Sequence, residues 1–133
     1  MPVVFMEWIE RDDLREHPEW LFVFGDNLAR LGNGGQAKSM RGEPNAVGLP
    51  TKRFPSQEAG SFLCDDDVIE VANASSAARK KLAEHVRNGG VVVWPMHGIG
   101  TGLARLPKKA PRIYSYYENF LEALRKLPEP DES

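Results

Sequence analysis

Short apolar runs alternate with longer amphipathic segments along the chain. Two of the apolar runs, Trp20–Phe24 and Val91–Trp94, are continuous, which is typical of strands that are buried on both faces of a parallel sheet. Two further segments, Val3–Ile9 and Asn45–Leu49, also predict strands, and the second of them meets Pro50. The pattern therefore predicts four strands, each separated from the next by polar or amphipathic sequence.

The amphipathic segments predict helices. Apolar and small residues recur at spacings of three and four between Asp65 and Asn88, which predicts one long helix. A last helix should begin after Pro107 and Pro111, because proline is tolerated in a first helical turn. Shorter helical segments are expected at Glu10–Glu16 and Gly34–Met40. This alternation predicts an α/β fold with a mostly parallel central sheet covered on both faces, a three-layer α/β/α sandwich.

Length, charge and cysteine content narrow the class of protein. The chain has 133 residues, which suits one domain over 1–127, with a flexible tail from Pro128 to Ser133. Its net charge of -2 argues against duplex DNA as the main partner. The single cysteine, Cys64, excludes an internal disulfide, and the three aspartates after it disfavour a reactive thiolate. With no signal sequence or membrane segment in the pattern, we expect a cytoplasmic protein without membrane contact.

Two glycine-rich loops follow the two continuous apolar runs. The first spans Gly25–Ala37 and the second spans His97–Ala104. Ligands of parallel α/β sheets bind at the carboxyl ends of strands, where such loops meet. Glycine lets main-chain N–H groups approach an anion closely, and the start of a helix adds a favourable dipole. The loops therefore predict one phosphate-binding cleft, although each could also be a plain tight turn.

Within the loops, Asp26 is a candidate acceptor for an amino group or a ribose hydroxyl, although a loop aspartate more often caps a turn. Gly34 and Gly35 would lie against a diphosphate, and Thr101 would add a hydroxyl to the second loop. The predicted ligand-binding residues are Gly25, Asp26, Asn27, Leu28, Asn33, Gly34, Gly35, Gln36, Ala37, Gly98, Ile99, Gly100, Thr101, Gly102 and Leu103.

Candidates for catalysis are fewer. Asp26, Lys52 and His97 are the groups near the loops that could serve as base, acid or nucleophile. Each has a plainer interpretation: a turn cap, a solvated lysine and a surface histidine. The chain lacks the Gly-Lys-Ser/Thr end of a P-loop and the Gly-x-Ser-x-Gly elbow of a serine hydrolase. No metal site and no cofactor are predicted.

Three short segments carry a resemblance to a known family. They are Gly25-Asp26-Asn27-Leu28, Gly34-Gly35-Gln36-Ala37 and Pro95 followed by Gly98-Ile99-Gly100-Thr101-Gly102-Leu103. Together they resemble the macrodomain, an ADP-ribose-binding α/β/α module. The second loop is most similar to compact macrodomains that remove ADP-ribose from acidic side chains. The resemblance extends from about Phe22 to Leu124, and the segment Arg41–Phe54 has no counterpart in the family pattern.

The resemblance implies a role for each loop. Asp26 would accept a hydrogen bond from the adenine amine, and Gly34, Gly35 and Ala37 would cradle the distal ribose and diphosphate. Residues 98–103 would close over the phosphates. The implied function is binding of ADP-ribose or a related nucleotide diphosphate, with hydrolytic removal of ADP-ribose from a modified protein or nucleic acid as an extension of it. A non-catalytic recognition or regulatory module and an enzyme acting on another phosphorylated nucleotide are the alternatives. A bulky residue at Gly100 is expected to abolish binding and leave the fold intact.

Overall fold

A computed structural model describes residues 2–128, which form four strands, six α-helices and two 3₁₀ segments. The strands are β1 (Val3–Met6), β2 (Leu21–Asn27), β3 (Ala46–Lys52) and β4 (Val92–Pro95). The helices are α1 (Arg11–Glu16), α2 (Ala37–Met40), α3 (Val68–Ala74), α4 (Ser76–Arg87), α5 (Leu106–Lys109) and α6 (Pro111–Lys126). The 3₁₀ segments are Ala59–Ser61 and Asp65–Asp67. Of the predicted tail, only Pro128 lies within the described residues.

The four strands form one parallel sheet in the order β1-β4-β2-β3. Successive side chains of a strand point to opposite faces, and the core divides accordingly. Leu21 and Val23 belong to one hydrophobic cluster, whereas Phe22 and Phe24 belong to another. The prediction of an α/β fold with a parallel sheet is confirmed.

Helices cover both faces of this sheet. Leu14 of α1 and Met40 of α2 pack on the face that carries Phe22 and Phe24. The opposite face is covered by α3, α4, α5 and α6, and α6 buries Ile113, Tyr117, Leu121 and Leu124. The spacings of four, four and three residues place these side chains on one stripe of the helix. The arrangement is compatible with an α/β/α sandwich.

The two central strands, β2 and β4, lead to opposite faces of the sheet. The chain leaves β2 towards α2 on one face, and it leaves β4 towards α5 and α6 on the other. Such a divergence between neighbouring parallel strands opens a crevice at their carboxyl ends, and ligands of open α/β sheets bind there. The fold alone therefore favours a site between the loops after β2 and β4.

The predicted long helix between Asp65 and Asn88 is interrupted. It consists of a 3₁₀ turn, then α3, then α4, with a break at Ser75. Arg79 donates hydrogen bonds to the Ser75 hydroxyl at 3.0 Å and to the Ala72 carbonyl at 2.8 Å. This carbonyl would otherwise accept the next helical N–H group, and side-chain bonds of this type compete with the helix ladder. The periodicity of the apolar residues continues across the break, so the pattern did not reveal it.

Several strand ends also differ from the prediction. β1 ends at Met6 and not at Ile9, β2 continues through Gly25, Asp26 and Asn27, and β3 passes Pro50 and reaches Lys52. Pro50 is compatible with β3 because this strand lies at the edge of the sheet, where a missing N–H group breaks no interior ladder. The predicted helix Gly34–Met40 begins only at Ala37. No helix within residues 2–128 is long and apolar enough to cross a bilayer.

Candidate functional site

A cavity of about 280 Å³ lies at the carboxyl ends of the strands. Its walls come from the segments that follow all four strands, with Glu7 and Trp8 after β1 and Pro55 and Gln57 after β3. The two glycine-rich loops approach each other at the cavity, since both contribute lining residues and a Cβ added to Gly34 would lie 3.4 Å from Cδ1 of Leu103. The predicted meeting of the two loops in one cleft is therefore seen in the structure.

Most of the predicted ligand-binding residues line this cavity. They are Gly25, Asp26, Asn27, Gly34, Gly35, Gln36, Ala37, Gly98, Ile99, Gly100, Thr101, Gly102 and Leu103. Leu28 and Asn33 do not line it, and for these two the prediction is corrected. Leu28 packs against the core and its N–H donates to the Lys52 carbonyl at 2.9 Å, so it joins the two strand ends. Asn33 is exposed and its side chain lies outside the cavity wall.

Both loops present main-chain N–H groups that no protein acceptor uses. Within residues 2–128, the N–H groups of 99–104 and of 32–36 donate no hydrogen bond to main chain or side chain. Gly98 differs, because its N–H group bonds to the Pro95 carbonyl at 2.9 Å. Runs of unpaired amides in glycine-rich backbone form concave sites that bind anions. These loop amides are thus left to water or to an acceptor from outside the chain.

Gly100 is required by the fold. Its φ of +73° lies in the left-handed region that side chains rarely adopt, and an added Cβ would lie 2.9 Å from Cβ of Leu106 and 3.0 Å from Cβ of Thr51. The carbonyl of Gly100 also accepts the N–H of Leu106 at 2.7 Å, which starts α5. The expectation that a bulky residue at Gly100 leaves the fold intact is therefore wrong. Gly102, with open space around its Cβ position, is the better place to add bulk.

The carboxylate of Asp26 is buried and fully occupied by protein donors. Oδ1 accepts the N–H of Asn27 at 2.8 Å and Nη2 of Arg41 at 2.6 Å. Oδ2 accepts Nη1 of Arg30 at 3.2 Å and Nη1 of Arg41 at 3.3 Å. Two carboxylate oxygens offer about four acceptor directions, and all of them are used. In this arrangement protein donors take the acceptor directions that the predicted adenine-amine and catalytic roles of Asp26 would need, and those roles stay predictions.

Arg41 links this carboxylate to the first glycine-rich loop. Its Nε donates to the Gly32 carbonyl at 2.7 Å and its Nη2 donates to the Leu31 carbonyl at 3.2 Å. The shape of the loop therefore depends on a guanidinium that Asp26 holds in place. Gly48 on β3 makes room for the carboxylate, because an added Cβ there would lie 2.5 Å from Oδ2 and 2.9 Å from Cβ of Asp26.

Lys52 is a buried cation at the end of β3. Only 7% of the residue is exposed, which corrects the interpretation of a solvated lysine. Its Nζ donates to the Ser56 carbonyl and lies 4.8 Å from the centre of the Phe62 ring. Among the ion pairs of residues 2–128, none includes Lys52, and burial lowers the pKa of its ammonium. Lys52 thus lines the cavity as a buried lysine whose charge no carboxylate of the described residues pairs with.

His97 lies at the mouth of the cavity on the side of β1. Its Nε2 is 3.8 Å from Oε1 of Glu7, and the two side chains would form an ion pair when the imidazole is protonated. Both side chains are largely exposed, so the pair is open to solvent and to a ligand. All three predicted catalytic residues, Asp26, Lys52 and His97, therefore line the same cavity, in three different settings.

The chain matches a family described as a family of unknown function (DUF7831) over residues 4–120. It belongs to this family. The matched region includes β2, β3, β4, all of β1 except Val3, and both glycine-rich loops. No curated protein and no solved structure matches the chain.

Sequence reasoning missed several residues of the site in this DUF7831 chain. Arg41 and Thr51 line the cavity, and neither was predicted as a site residue; both belong to the segment Arg41–Phe54, which has no counterpart in the family pattern. Glu7 and Trp8 were missed because β1 was expected to continue to Ile9, which placed them inside a strand. The topology could have indicated these residues, because the carboxyl ends of all strands of a parallel sheet lie on the same side of it and the segments that follow them meet there.

Proposed function

We propose that the cleft binds ADP-ribose or a closely related nucleotide diphosphate, and that the protein is a compact macrodomain-like module. The observation that carries the proposal is Lys52, a buried cation that lines the cavity and has no carboxylate partner among residues 2–128. A buried charge is strongly unfavourable unless it is paired. Its natural partner is an anion that enters the cleft.

The glycine-rich loops add to this attraction. Two runs of N–H groups without a protein acceptor, 32–36 and 99–104, belong to the two loops that line the cavity. Amides fixed in a loop bind phosphate oxygens without further reorganisation, and hydrogen bonds to an ionised acceptor are roughly twice as strong as neutral ones. One phosphate would engage one loop, so two such loops favour a diphosphate over a single phosphate.

The size of the cavity agrees with a small molecule. Its volume of about 280 Å³ is close to the lower end of ligand pockets, which range from roughly 300 to 1,000 Å³. A nucleotide would fill it and extend along its mouth. If the physiological ligand is an ADP-ribosylated protein or nucleic acid, the cleft would take the modification and leave the macromolecule outside.

Isothermal titration calorimetry with ADP-ribose, NAD and AMP tests the proposal. We expect ADP-ribose to bind with the highest affinity of the three, and absence of binding of all three at millimolar concentration would refute the nucleotide function. Gly102→Val should weaken binding at least tenfold, because it adds an isopropyl group to a loop residue of the cavity wall whose Cβ position is open. Gly60→Val is the matched control, since Gly60 is exposed, has equally open space and lies outside the cavity.

Removal of ADP-ribose from a modified macromolecule is a second candidate function, and the pair of His97 and Glu7 favours it. Hydrolysis of a glycosidic bond needs a group that takes a proton from water and returns one to the leaving group. An imidazole 3.8 Å from a carboxylate at the mouth of the cleft can do both. Incubation with ADP-ribosylated protein distinguishes the functions: release that is lost in His97→Ala supports a hydrolase, whereas binding without release supports a recognition module.

A further inference from the structure

The rim of the cleft carries large apolar side chains that face solvent. Trp8 is 54% exposed, and Leu31 and Leu103 are exposed as well. The three residues come from the segments after β1, β2 and β4, and all of them line the one cavity. Single exposed apolar residues are common and need no explanation. Three from separate loops around one opening indicate an apolar part of the ligand.

The order of the strands separates one of these residues, Trp8, from the cation. Trp8 follows β1, which forms one edge of the sheet, and Lys52 ends β3, which forms the other edge. Three strand spacings lie between these edges, about 14 Å. The unpaired amides of the loops after β4 and β2 lie between them. Across the cleft, the chain thus offers an aromatic ring, then anion-binding amides, then an ammonium.

We propose that Trp8 is the platform on which the base of the bound nucleotide stacks, with the diphosphate over the two loops and the distal group towards Lys52. The inference rests on the proposed nucleotide binding and adds the position and the mode of recognition of the base. An elongated ligand with a planar base at one end and a polar group at the other matches the order of the three regions.

Stacking would also hold a base without a hydrogen bond to the carboxylate of Asp26. Every acceptor direction of that carboxylate is used by Arg30, Arg41 and a main-chain N–H group. Stacking on an aromatic ring tolerates any base, because each base has a π-face. The cleft is therefore expected to select for the diphosphate and to discriminate weakly among bases, so that ADP-ribose and GDP-ribose bind within about fivefold of each other.

The decisive variant is Trp8→Ala, compared with Trp8→Phe. Trp8→Ala removes the stacking of the base on the indole, and the affinity for ADP-ribose should therefore fall about 5- to 100-fold. Trp8→Phe should recover most of it, because phenylalanine keeps a stacking face. Ile69→Ala is the matched control, since Ile69 is a large exposed apolar residue that does not line the cavity. Ribose 5-phosphate, which has no base, should bind Trp8→Ala and the wild type equally.

Tryptophan fluorescence gives a second, direct measurement. Trp94 is buried and Trp20 stacks on His17, whereas Trp8 is the exposed indole at the cleft. ADP-ribose should change the emission of the wild type, and this change should disappear in Trp8→Phe. If the wild type binds ADP-ribose and Trp8→Ala binds it equally well, the stacking inference is refuted while the proposed function stands. If the wild type binds no nucleotide at all, both are refuted together.

Discussion

Replacing Asp26 with asparagine removes the negative charge that holds the first glycine-rich loop. The native carboxylate accepts four hydrogen bonds, three of them from the guanidinium groups of Arg30 and Arg41. In Asp26→Asn, one accepting oxygen becomes an NH₂ group that faces a guanidinium. Two arginines then lose their counter-charge at the base of the cleft.

The expected loss of stability follows from the exposure of the partners. Removal of one member of a buried ion pair destabilises a protein by about 3–5 kcal/mol. Here the Asp26 side chain is buried, but the side chains of Arg41 and Arg30 are 24% and 42% exposed, so solvent screens part of the effect. We therefore expect about 2–3 kcal/mol. For a domain of 133 residues, with an unfolding entropy of about 0.28 kcal/mol per kelvin, this lowers Tm by about 7–11 °C.

Differential scanning calorimetry and urea denaturation measure this effect, and calorimetric titration with ADP-ribose accompanies them. Asp66→Asn is the control, because Asp66 is exposed and forms no ion pair within the described part of the chain; its stability should change by less than about 0.5 kcal/mol. An unchanged Tm in Asp26→Asn combined with loss of ADP-ribose binding would refute the reasoning. Asp26 would then contact the ligand directly, as the macrodomain resemblance implied.

Three further predictions concern residues around the same carboxylate and cation. Gly48→Ala should lower the free energy of unfolding by about 1–3 kcal/mol in urea denaturation, since its Cβ would meet Asp26 at 2.5–2.9 Å, and an unaffected stability would contradict this contact. Gly100→Val should lower Tm as well as binding, because φ is positive there and Leu106 is 2.9 Å from the added Cβ; a native Tm would show that the loop can adapt. Lys52→Met should keep the stability of the free protein within about 1 kcal/mol and weaken ADP-ribose binding about 10- to 100-fold, as titration of both proteins would show.

Lys52 also gives the cleft a dependence on pH. Burial lowers the pKa of its ammonium, so the unfolded chain holds this proton more tightly than the folded one. The charged lysine therefore opposes folding below the lowered pKa, and this effect fades as the pH rises towards about 10.4, the value for a free lysine. Ligand binding should weaken as the pH rises, because the ammonium loses its charge. The affinity of the wild type should begin to fall at a lower pH than that of a site whose lysine has an ordinary pKa. Lys52→Met should show no such fall in titrations between pH 7 and pH 10.

The positions of the loops could be predicted from the sequence because they depend on local pattern. Trp20–Phe24 and Val91–Trp94 are apolar throughout, and each stops at a glycine-rich segment, so the strands and the cleft at their ends follow directly. The role of Asp26 could not be predicted in this way. Its partner Arg41 is 15 residues away in the chain, in a segment that only the formation of β3 brings beside β2.

The burial of Lys52 could not be predicted from the local pattern either. In the sequence, a lysine after Pro50 and Thr51 suggests a strand that has ended and a side chain in water. In the structure, β3 continues to Lys52, and an isolated antiparallel bridge to Phe62 covers the residue. Trp8 was overlooked for a related reason, because the end of β1 was placed three residues too late. The positions of the strand ends determine which side chains line the cleft, and these positions are the part of a strand that a local pattern predicts least accurately.

Because Lys52 has no ion-pair partner within the described residues, binding of an anionic ligand should be visible as an increase in the Tm of the protein. On the proposed function, an anion binds in the cleft of the folded chain alone, so its binding and folding are thermodynamically linked. At a concentration of one hundred times Kd, such a ligand adds about 2.7 kcal/mol, which corresponds to about 10 °C in Tm for a domain of this size. A panel of nucleotides and other phosphate compounds, ranked by the Tm that each produces at equal concentration, would thus be ranked by affinity before any reaction is known.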